Sequence, residues 1–350
     1  MLGSLASERY CIAPQMRLYD QLPLVLAPYV TTTSRRNFRS DILNTDELGF
    51  RHTQAGQSLI DTRSWGAGKG RSLLVGGSFV FGVGVTSDRH TLASALSALT
   101  SRSFLNLGVR AANSTQELIA TIPFLDDAEA VIVCSGLNNL VIGLKSSGAD
   151  ELFGPIFAER PFQELASYSV AELTSVLQFR VEGIGIRPLV GAAWRRALGR
   201  LRSALGRTPE DQAPGLEAAK PGDLQAIAKK ALKRQCRDLS ILARALPRGC
   251  QLLFAVQPCA ATRKEISPEE QRLFEITDNL QGSHWHILKA ALMELWPWYA
   301  GELKDMCVRQ GVKAIDLNEV ELKGWCYVDR VHMTDSGTLQ IARKLAQEIT

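Results

Sequence analysis

Short apolar runs alternate with helical patterns along this chain, and this alternation constrains the fold more than any other feature. Five runs have the length and composition of buried strands, and each ends in Gly, Pro or a polar residue, as strands that lead into loops do. They occupy residues 72–77, 103–108, 130–136, 250–258 and 312–317. Such an alternation predicts an α/β fold in which helices cover both faces of a central parallel sheet.

Two of the helical segments begin with residues that favour a helix start. Ser114 and Glu117 form a Ser-x-x-Glu pattern at the head of segment 114–125, which predicts a capping box. Ser267 and Pro268 precede two glutamates, and this composition is typical of another helix start. Further helical patterns occupy residues 89–99, 224–246 and 335–349.

One segment interrupts the alternation. Residues 145–223 contain no clear strand and end in a stretch rich in Pro, Gly and Ala at 206–223. We interpret 145–223 as a mostly helical insertion or linker within a single domain spanning 1–350, and we hypothesise that it forms a lid. Residues 1–43 precede the first motif and are interpreted as an N-terminal extension.

The insertion contains an amphipathic stretch at 192–207 with five arginines and no acidic residue. Such a helix can lie on an anionic membrane surface or contact an acidic partner. Alternatively, the helix packs its apolar side on the core and leaves the arginines in water. The sequence leaves both interpretations open.

The composition argues against several classes of protein. Lysine and arginine number 40 against 36 acidic residues, and a net charge of +4 gives no general case for a nucleic-acid partner. The seven cysteines are scattered, which favours a reducing compartment over a disulfide framework. The sequence shows no secretory pattern and no run of about 18 apolar residues, so we expect a cytoplasmic protein without a transmembrane helix. His284 and His286 lack partners at ligand spacing, so no metal site is expected.

Four stretches together carry the residue types of an acyl-transfer site. Such a site needs a nucleophile, a base, a group that orients the base, and donors for an oxyanion. Three of the stretches follow predicted strands, and ligands of parallel sheets bind at the carboxyl ends of the strands. Taken singly, each candidate is an ordinary turn, cap or surface residue, so the interpretation depends on their combination. The candidates are Ser78, Gly108, Asn138, Asp329 and His332.

The four stretches resemble the motif blocks of the SGNH hydrolases, also called GDSL esterases. In chain order they read GGSFVFG, NLGVRAANS, GLNN and DRVH. Two positions depart from the family pattern: Gly77 replaces the Asp of the GDS signature, and Asn139 replaces the Asp that usually follows the catalytic Asn. The resemblance covers about residues 44–145 and 225–350 and implies a flavodoxin-like three-layer α/β/α sandwich with a central parallel sheet.

The resemblance also implies a role for each candidate. Ser78 is the nucleophile, His332 is its base, and Asp329 holds His332 in the required tautomer. The backbone N–H groups of Ser78 and Gly108 and the side-chain amide of Asn138 surround the oxyanion. No metal or organic cofactor takes part.

The favoured interpretation is a serine esterase or deacylase that hydrolyses an ester, O-acyl and O-acetyl groups included, through an acyl-enzyme on Ser78. The resemblance implies a small-molecule, carbohydrate or lipid ester as substrate. Two alternatives stay open: an acyltransferase that uses the same residues, and a non-catalytic binding protein with this fold. Arg51 and Asp335 are two further residues considered for a supporting role, and the sequence assigns that role to neither of them.

Overall fold

The computed structural model describes residues 2–27, 30–148, 221–281 and 283–349. Within these ranges, two small antiparallel sheets precede a five-stranded parallel sheet. The strands are β1 (Leu24–Ala27), β2 (Thr31–Ser34), β3 (Thr53–Ala55), β4 (Ser58–Ile60), β5 (Ser72–Gly76), β6 (Phe104–Gly108), β7 (Ala130–Ser135), β8 (Gln251–Val256) and β9 (Lys313–Asp316). The α-helices are α1 (Leu2–Ile12), α2 (Met16–Gln21), α3 (Ser78–Phe81), α4 (Leu92–Thr100), α5 (Ser114–Thr121), α6 (Leu137–Lys145), α7 (Pro221–Ala245), α8 (Pro268–Leu280), α9 (Ser283–Arg309) and α10 (Asp335–Ile349).

The parallel sheet has the strand order β6-β5-β7-β8-β9. Counted from the first strand of this sheet, the order is 2-1-3-4-5, which is that of a flavodoxin-like doubly wound fold. The predicted α/β fold with a central parallel sheet is therefore confirmed. The winding reverses between β5 and β7, and the crevice at such a point is where doubly wound folds bind ligands. Ser78 follows β5 and Asn138 follows β7, so both lie at this crevice.

Helices cover both faces of the sheet. Leu73 and Val75 of β5 pack in a hydrophobic cluster with apolar residues of α5, α6, α7 and α9. Leu74 points to the opposite face, where it packs with residues of α4, α8 and α10. Because neighbouring strand residues face opposite layers and all five residues of β5 are buried, the strand reads as a continuous apolar run.

The start of α5 differs from the prediction. Asn113 caps this helix, and its side-chain oxygen accepts hydrogen bonds from the first turn while Gln116 completes the capping box. Ser114 does not serve as the cap, because its hydroxyl donates to Asp238 at 2.6 Å. The predicted start of α8 is confirmed, since Ser267 caps that helix in a capping box of its own.

The predicted insertion at 145–223 lies outside the described residues except at its two ends. The stretch at 192–207 lies wholly outside them, so its lid, membrane and acidic-partner interpretations remain predictions. Among the helices that the structure describes, none combines the length and the hydrophobicity needed to cross a lipid bilayer.

A small cavity of about 20 Å³, lined by both apolar and polar side chains, lies between the sheet and helices α5 and α7, and it has room for one water molecule. Glu117 and Gln235 line it and are 2% and 1% exposed. Their side-chain oxygen and nitrogen atoms have no hydrogen-bond partner of normal geometry among the described residues. Burial raises the pKa of Glu117 to about 8, opposed by the nearby Ser135 hydroxyl and supported by the Asp238 carboxylate. Glu117 is therefore protonated at neutral pH.

We expect this carboxylic acid to make the free energy of unfolding depend on pH. The unfolded chain loses the Glu117 proton near the ordinary pKa of 4.5, whereas the folded chain keeps it up to about 8. The stabilisation is therefore complete below pH 4.5 and is lost as the pH rises to about 8, by at most about 1.4 kcal/mol per pH unit. Glu117→Gln, which stays neutral, should remove this component. Urea denaturation of both proteins at about pH 5 and 8 tests this, and equal pH dependence would contradict it.

Candidate active site

Ser78 stands at the N-terminus of α3, directly after two glycines at the end of β5. A Cβ atom on Gly76 would lie 2.2 Å from the carbonyl oxygen of Cys134, and one on Gly77 would lie 2.5 Å from Asn138 Nδ2. Position 76 needs glycine, because the backbone of the neighbouring strand approaches it too closely for a side chain. At position 77 only the side-chain amide of Asn138 is close, so a side chain there would require Asn138 to shift.

The structure brings Ser78, His332 and Asp329 together in one hydrogen-bonded chain. His332 Nε2 lies 2.8 Å from Ser78 Oγ, and His332 Nδ1 lies 2.7 Å from Asp329 Oδ2. The other oxygen of Asp329 accepts the backbone N–H groups of Val331 at 2.9 Å and His332 at 2.8 Å. These bonds hold the Asp-x-x-His segment in a tight turn, so the carboxylate and the imidazole keep a fixed orientation. The chain has the geometry of a nucleophile, a general base and an orienting carboxylate.

The electrostatics of this chain favour an ionised Asp329. Burial alone raises the pKa of this carboxyl group, but His332, Arg9 and the backbone N–H groups outweigh it and lower the pKa to about 2. The carboxylate is thus negative throughout the neutral range, and it keeps the proton of a neutral His332 on Nδ1, leaving Nε2 free to accept from Ser78. In the described ranges, no three His, Cys, Asp or Glu side chains are placed to hold a metal ion.

Asn138 and Asn139 fasten the loop that follows β6. Asn138 Nδ2 donates to the carbonyl oxygen of Ala112 at 2.7 Å, which uses one of its two N–H bonds and leaves the other beside Gly77. The Asn139 side chain bonds Ser114 twice: it accepts the backbone N–H at 2.8 Å and donates to Oγ at 2.8 Å. The asparagine at position 139 therefore holds the start of α5 against the start of α6.

The predicted role of Gly108 as an oxyanion donor is contradicted. Its backbone N–H donates to the side-chain oxygen of Asn106 at 2.9 Å, and Asn106 in turn donates to the carbonyl of Val80 at 3.0 Å. A Cβ on Gly108 would lie 2.1 Å from the backbone nitrogen of Phe81. Gly108 is therefore needed for the close contact between β6 and α3, and its N–H is not free to bind a substrate oxygen.

Ala111, three residues after Gly108, was not among the candidates predicted from the sequence. Residues 109–112 form a turn in which the Ala112 N–H donates to the Val109 carbonyl at 3.2 Å. Ala111 occupies the left-handed region with φ 63°, which is uncommon for any residue other than glycine. No described residue accepts a hydrogen bond from the Ala111 N–H. Glycine is the usual sequence signal of a left-handed turn position, and alanine gives no such signal.

Arg51, one of the two residues considered for a supporting role, contacts the end of the helix that begins at Ser78. This side chain is 1% exposed, and its Nε donates to Asp88 at 2.7 Å. One terminal nitrogen donates to the Tyr19 hydroxyl at 2.8 Å and to the Gly82 carbonyl at 2.7 Å. Arg51 thereby ties the C-terminal end of α3, the helix that begins at Ser78, to the N-terminal segment.

Comparisons with known proteins add solved structures of low similarity. No family model matches the chain, and no curated protein matches it. An extracellular lipase from Streptomyces rimosus has a TM-score of 0.43 and 11% identity, over 80% of this chain and 99% of that one. A carbohydrate acetylesterase from Sinorhizobium meliloti has a TM-score of 0.39 and 11% identity, over 79% and 97%. Phospholipase A1 from Streptomyces albidoflavus has a TM-score of 0.35 and 11% identity, over 78% and 98%. The function is therefore inferred from the residues and geometry of this chain.

Proposed function

We propose that this chain is a serine ester hydrolase of the SGNH type, with Ser78 as nucleophile, His332 as base and Asp329 as the orienting carboxylate. The observation that carries the proposal is the continuous hydrogen-bonded chain, with distances of 2.8 and 2.7 Å, at the crevice of the sheet. The resemblance of the four motif blocks to that family and the doubly wound strand order support the same assignment.

The reaction proceeds through an acyl-enzyme. Ser78 Oγ attacks the ester carbonyl while His332 Nε2 takes its proton, and Asp329 stabilises the imidazolium that forms. The tetrahedral intermediate then expels the alcohol, which receives the proton from His332, and the acyl group remains on Ser78. A water molecule, deprotonated by the same imidazole, attacks the acyl-enzyme. The second tetrahedral intermediate expels Ser78 Oγ, which takes the proton back from His332, and the acid is released.

We assign three N–H donors to the oxyanion that would form in each tetrahedral intermediate. The Ser78 N–H belongs to the first turn of α3, where backbone donors have no partner within the helix. The second donor is the Asn138 N–H that does not bond Ala112. The third is the Ala111 N–H, in place of Gly108. Loss of one such donor typically lowers the rate about 10²–10³-fold.

The substrate class extends to small-molecule, carbohydrate and lipid esters, as the resemblance implies. The insertion at 145–223 is proposed as a lid over the site, and the arginines of 192–207 as contacts to a membrane surface or an acidic partner. Shortening this segment would impair a natural substrate more than a very small ester.

The proposal is tested by trapping the acyl-enzyme. The protein is mixed with a panel of p-nitrophenyl esters of increasing acyl length and quenched in acid, and the peptide that contains Ser78 is expected to gain the mass of the acyl group. An added alcohol separates the alternatives: a hydrolase yields mainly the free acid, and an acyltransferase yields a new ester. A folded protein that gives neither adduct nor turnover with any ester would overturn the assignment and favour the non-catalytic alternative.

A further inference from the structure

The N-terminal helix brings a buried cation to the back of the catalytic chain. Arg9, on α1, is 7% exposed, and one terminal nitrogen lies 3.8 Å from Asp329 Oδ2, the oxygen that also contacts His332 Nδ1. We propose that Arg9 is a positioning residue for the reaction proposed above: its charge orients the Asp329 carboxylate and, through it, the imidazole of His332.

The segment that carries Arg9 is fastened to the body of the domain on both sides of this residue. The adjacent Glu8 receives two hydrogen bonds from Arg272 of α8, at 2.6 and 2.7 Å. Further along, the Gln15 side chain donates at 2.7 Å to the carbonyl of Gly84, in the loop that follows α3. Arg9 is thus held in place by contacts that do not involve its own guanidinium group.

Arg9 is the one Lys or Arg side chain in the described part of the chain that lies within 4.0 Å of the Asp329 carboxylate. The neighbouring Arg330 is turned away, because it donates to both oxygens of Asp278, at 3.0 and 2.7 Å. Arg9 is therefore the permanent cationic partner of Asp329, and His332 becomes a second one when its ring takes the proton of Ser78.

Two further titratable groups belong to this environment. Asp20 pairs with the other terminal nitrogen of Arg9, and its side chain is 32% exposed. Cys259 lies near Asp329, and burial raises the pKa of its thiol to about 12, so it stays neutral. Of these two groups, only Asp20 carries a negative charge that partly offsets the positive charge of Arg9.

The sign of the effect follows from these charges. Arg9 stabilises the Asp329 carboxylate and repels the positive charge that forms on the His332 ring during the reaction. Without Arg9, Asp329 has the imidazolium as its sole close cation, and protonation of His332 becomes easier. The acid limb of the kcat/KM profile then moves to higher pH, and the less firmly held carboxylate lowers kcat.

The test compares Arg9→Met with Arg9→Lys, which keeps the charge, and with Arg272→Gln, which weakens the attachment of α1 and leaves Arg9 intact. We expect Arg9→Met to move the acid limb up by about 0.5–1 pH unit and to lower kcat about tenfold. Arg9→Lys should restore most of the limb position, and Arg272→Gln should lower Tm without moving the limb. Asp20→Asn, a change at a partly exposed side chain, should move the limb in the opposite direction, since Arg9 then presents more charge to Asp329.

The proposal would be overturned if neither Arg9→Met nor Asp20→Asn moved the acid limb of the kcat/KM profile. It would also be overturned if Arg272→Gln moved the limb as far as Arg9→Met does, because that would indicate a structural effect of α1. Should Arg9→Met fail to fold, Arg9→Lys and Asp20→Asn still decide the matter. The titration midpoint of the His332 ring, followed by NMR with ring-labelled histidine, gives the same comparison without turnover. A wild-type protein that binds no acyl group fails the proposed function, and the NMR shift then judges the Arg9 effect separately.

Discussion

Ser78→Ala is expected to abolish ester hydrolysis, with a loss in kcat of about 10⁴–10⁶-fold. The methyl group that replaces the hydroxyl cannot attack a carbonyl carbon, and the imidazole 2.8 Å away loses the proton it would accept. The residual rate comes from the oxyanion donors and from substrate binding, which this change leaves in place. Initial rates with a p-nitrophenyl ester and labelling by a fluorophosphonate probe measure the effect, and both should vanish together.

The fold should survive this change. Ser78 lies at the first turn of α3, and its hydroxyl makes its described hydrogen bond to His332 alone, so Tm should shift by only a few degrees. Ser336→Ala, at an exposed serine of α10, is the matched control and should keep full activity and labelling. Persistent labelling of the Ser78→Ala protein at another residue would show that the nucleophile lies elsewhere.

Strands β5, β6 and β7 of the parallel sheet could be predicted from the sequence because they are buried along their whole length. A strand of this kind is a continuous apolar run that ends where the loop begins, so its limits are visible without any partner. The run at 72–77 corresponds to β5, Ser72–Gly76, and the run at 130–136 corresponds to β7, Ala130–Ser135. The residues that follow these strands could be found for the same reason, since the carboxyl ends of parallel strands meet at one edge.

The turn at residues 109–112, in which we propose an oxyanion donor, could not be predicted in the same way. A turn is usually recognised by glycine at a left-handed position, and here Ala111 occupies that position with φ 63°. The role of oxyanion donor was predicted for Gly108 instead. The structure shows that glycine is needed there for the close contact with α3. Which N–H remains free depends on the side chain of Asn106, whose bond to Gly108 is not readable from spacing.

The contribution of the N-terminal segment was also hidden, because it depends on contacts between residues far apart in the sequence. Tyr19 meets Arg51 under α3, and Arg9 meets Asp329 from the opposite end of the chain. Neither pair follows a local periodicity, and a buried arginine reads in sequence like any surface arginine. Segment 1–43, interpreted as an extension, is thus partly built into the support of the site.

The second large effect is expected from His332 and Asp329, whose variants should differ in kind. His332→Ala removes the base and should lower kcat nearly as far as Ser78→Ala does. Asp329→Asn should lower kcat by about 10⁴-fold while the protein stays folded. The amide oxygen can still accept the backbone N–H groups of Val331 and His332, which preserves the turn. The amide nitrogen introduced at position 329, however, would donate to Nδ1 of His332, so the ring proton would move to Nε2. A protonated Nε2 cannot accept the hydrogen bond from Ser78.

The pH profile of the wild-type protein also tests whether His332 is the base and Asp329 its orienting carboxylate. Activity in the chemical step should fall below about pH 6.5, as an imidazole base becomes protonated. Because the pKa of Asp329 is about 2, this carboxylate stays ionised throughout the acid limb. The fall in activity with decreasing pH should therefore fit the uptake of a single proton. Asp305→Asn, at an exposed carboxylate of α9, serves as the control and should leave both the rate and the profile unchanged. A profile that stays flat between about pH 5 and 9, or an Asp329→Asn protein with wild-type turnover, would rule out a His332 base oriented by Asp329.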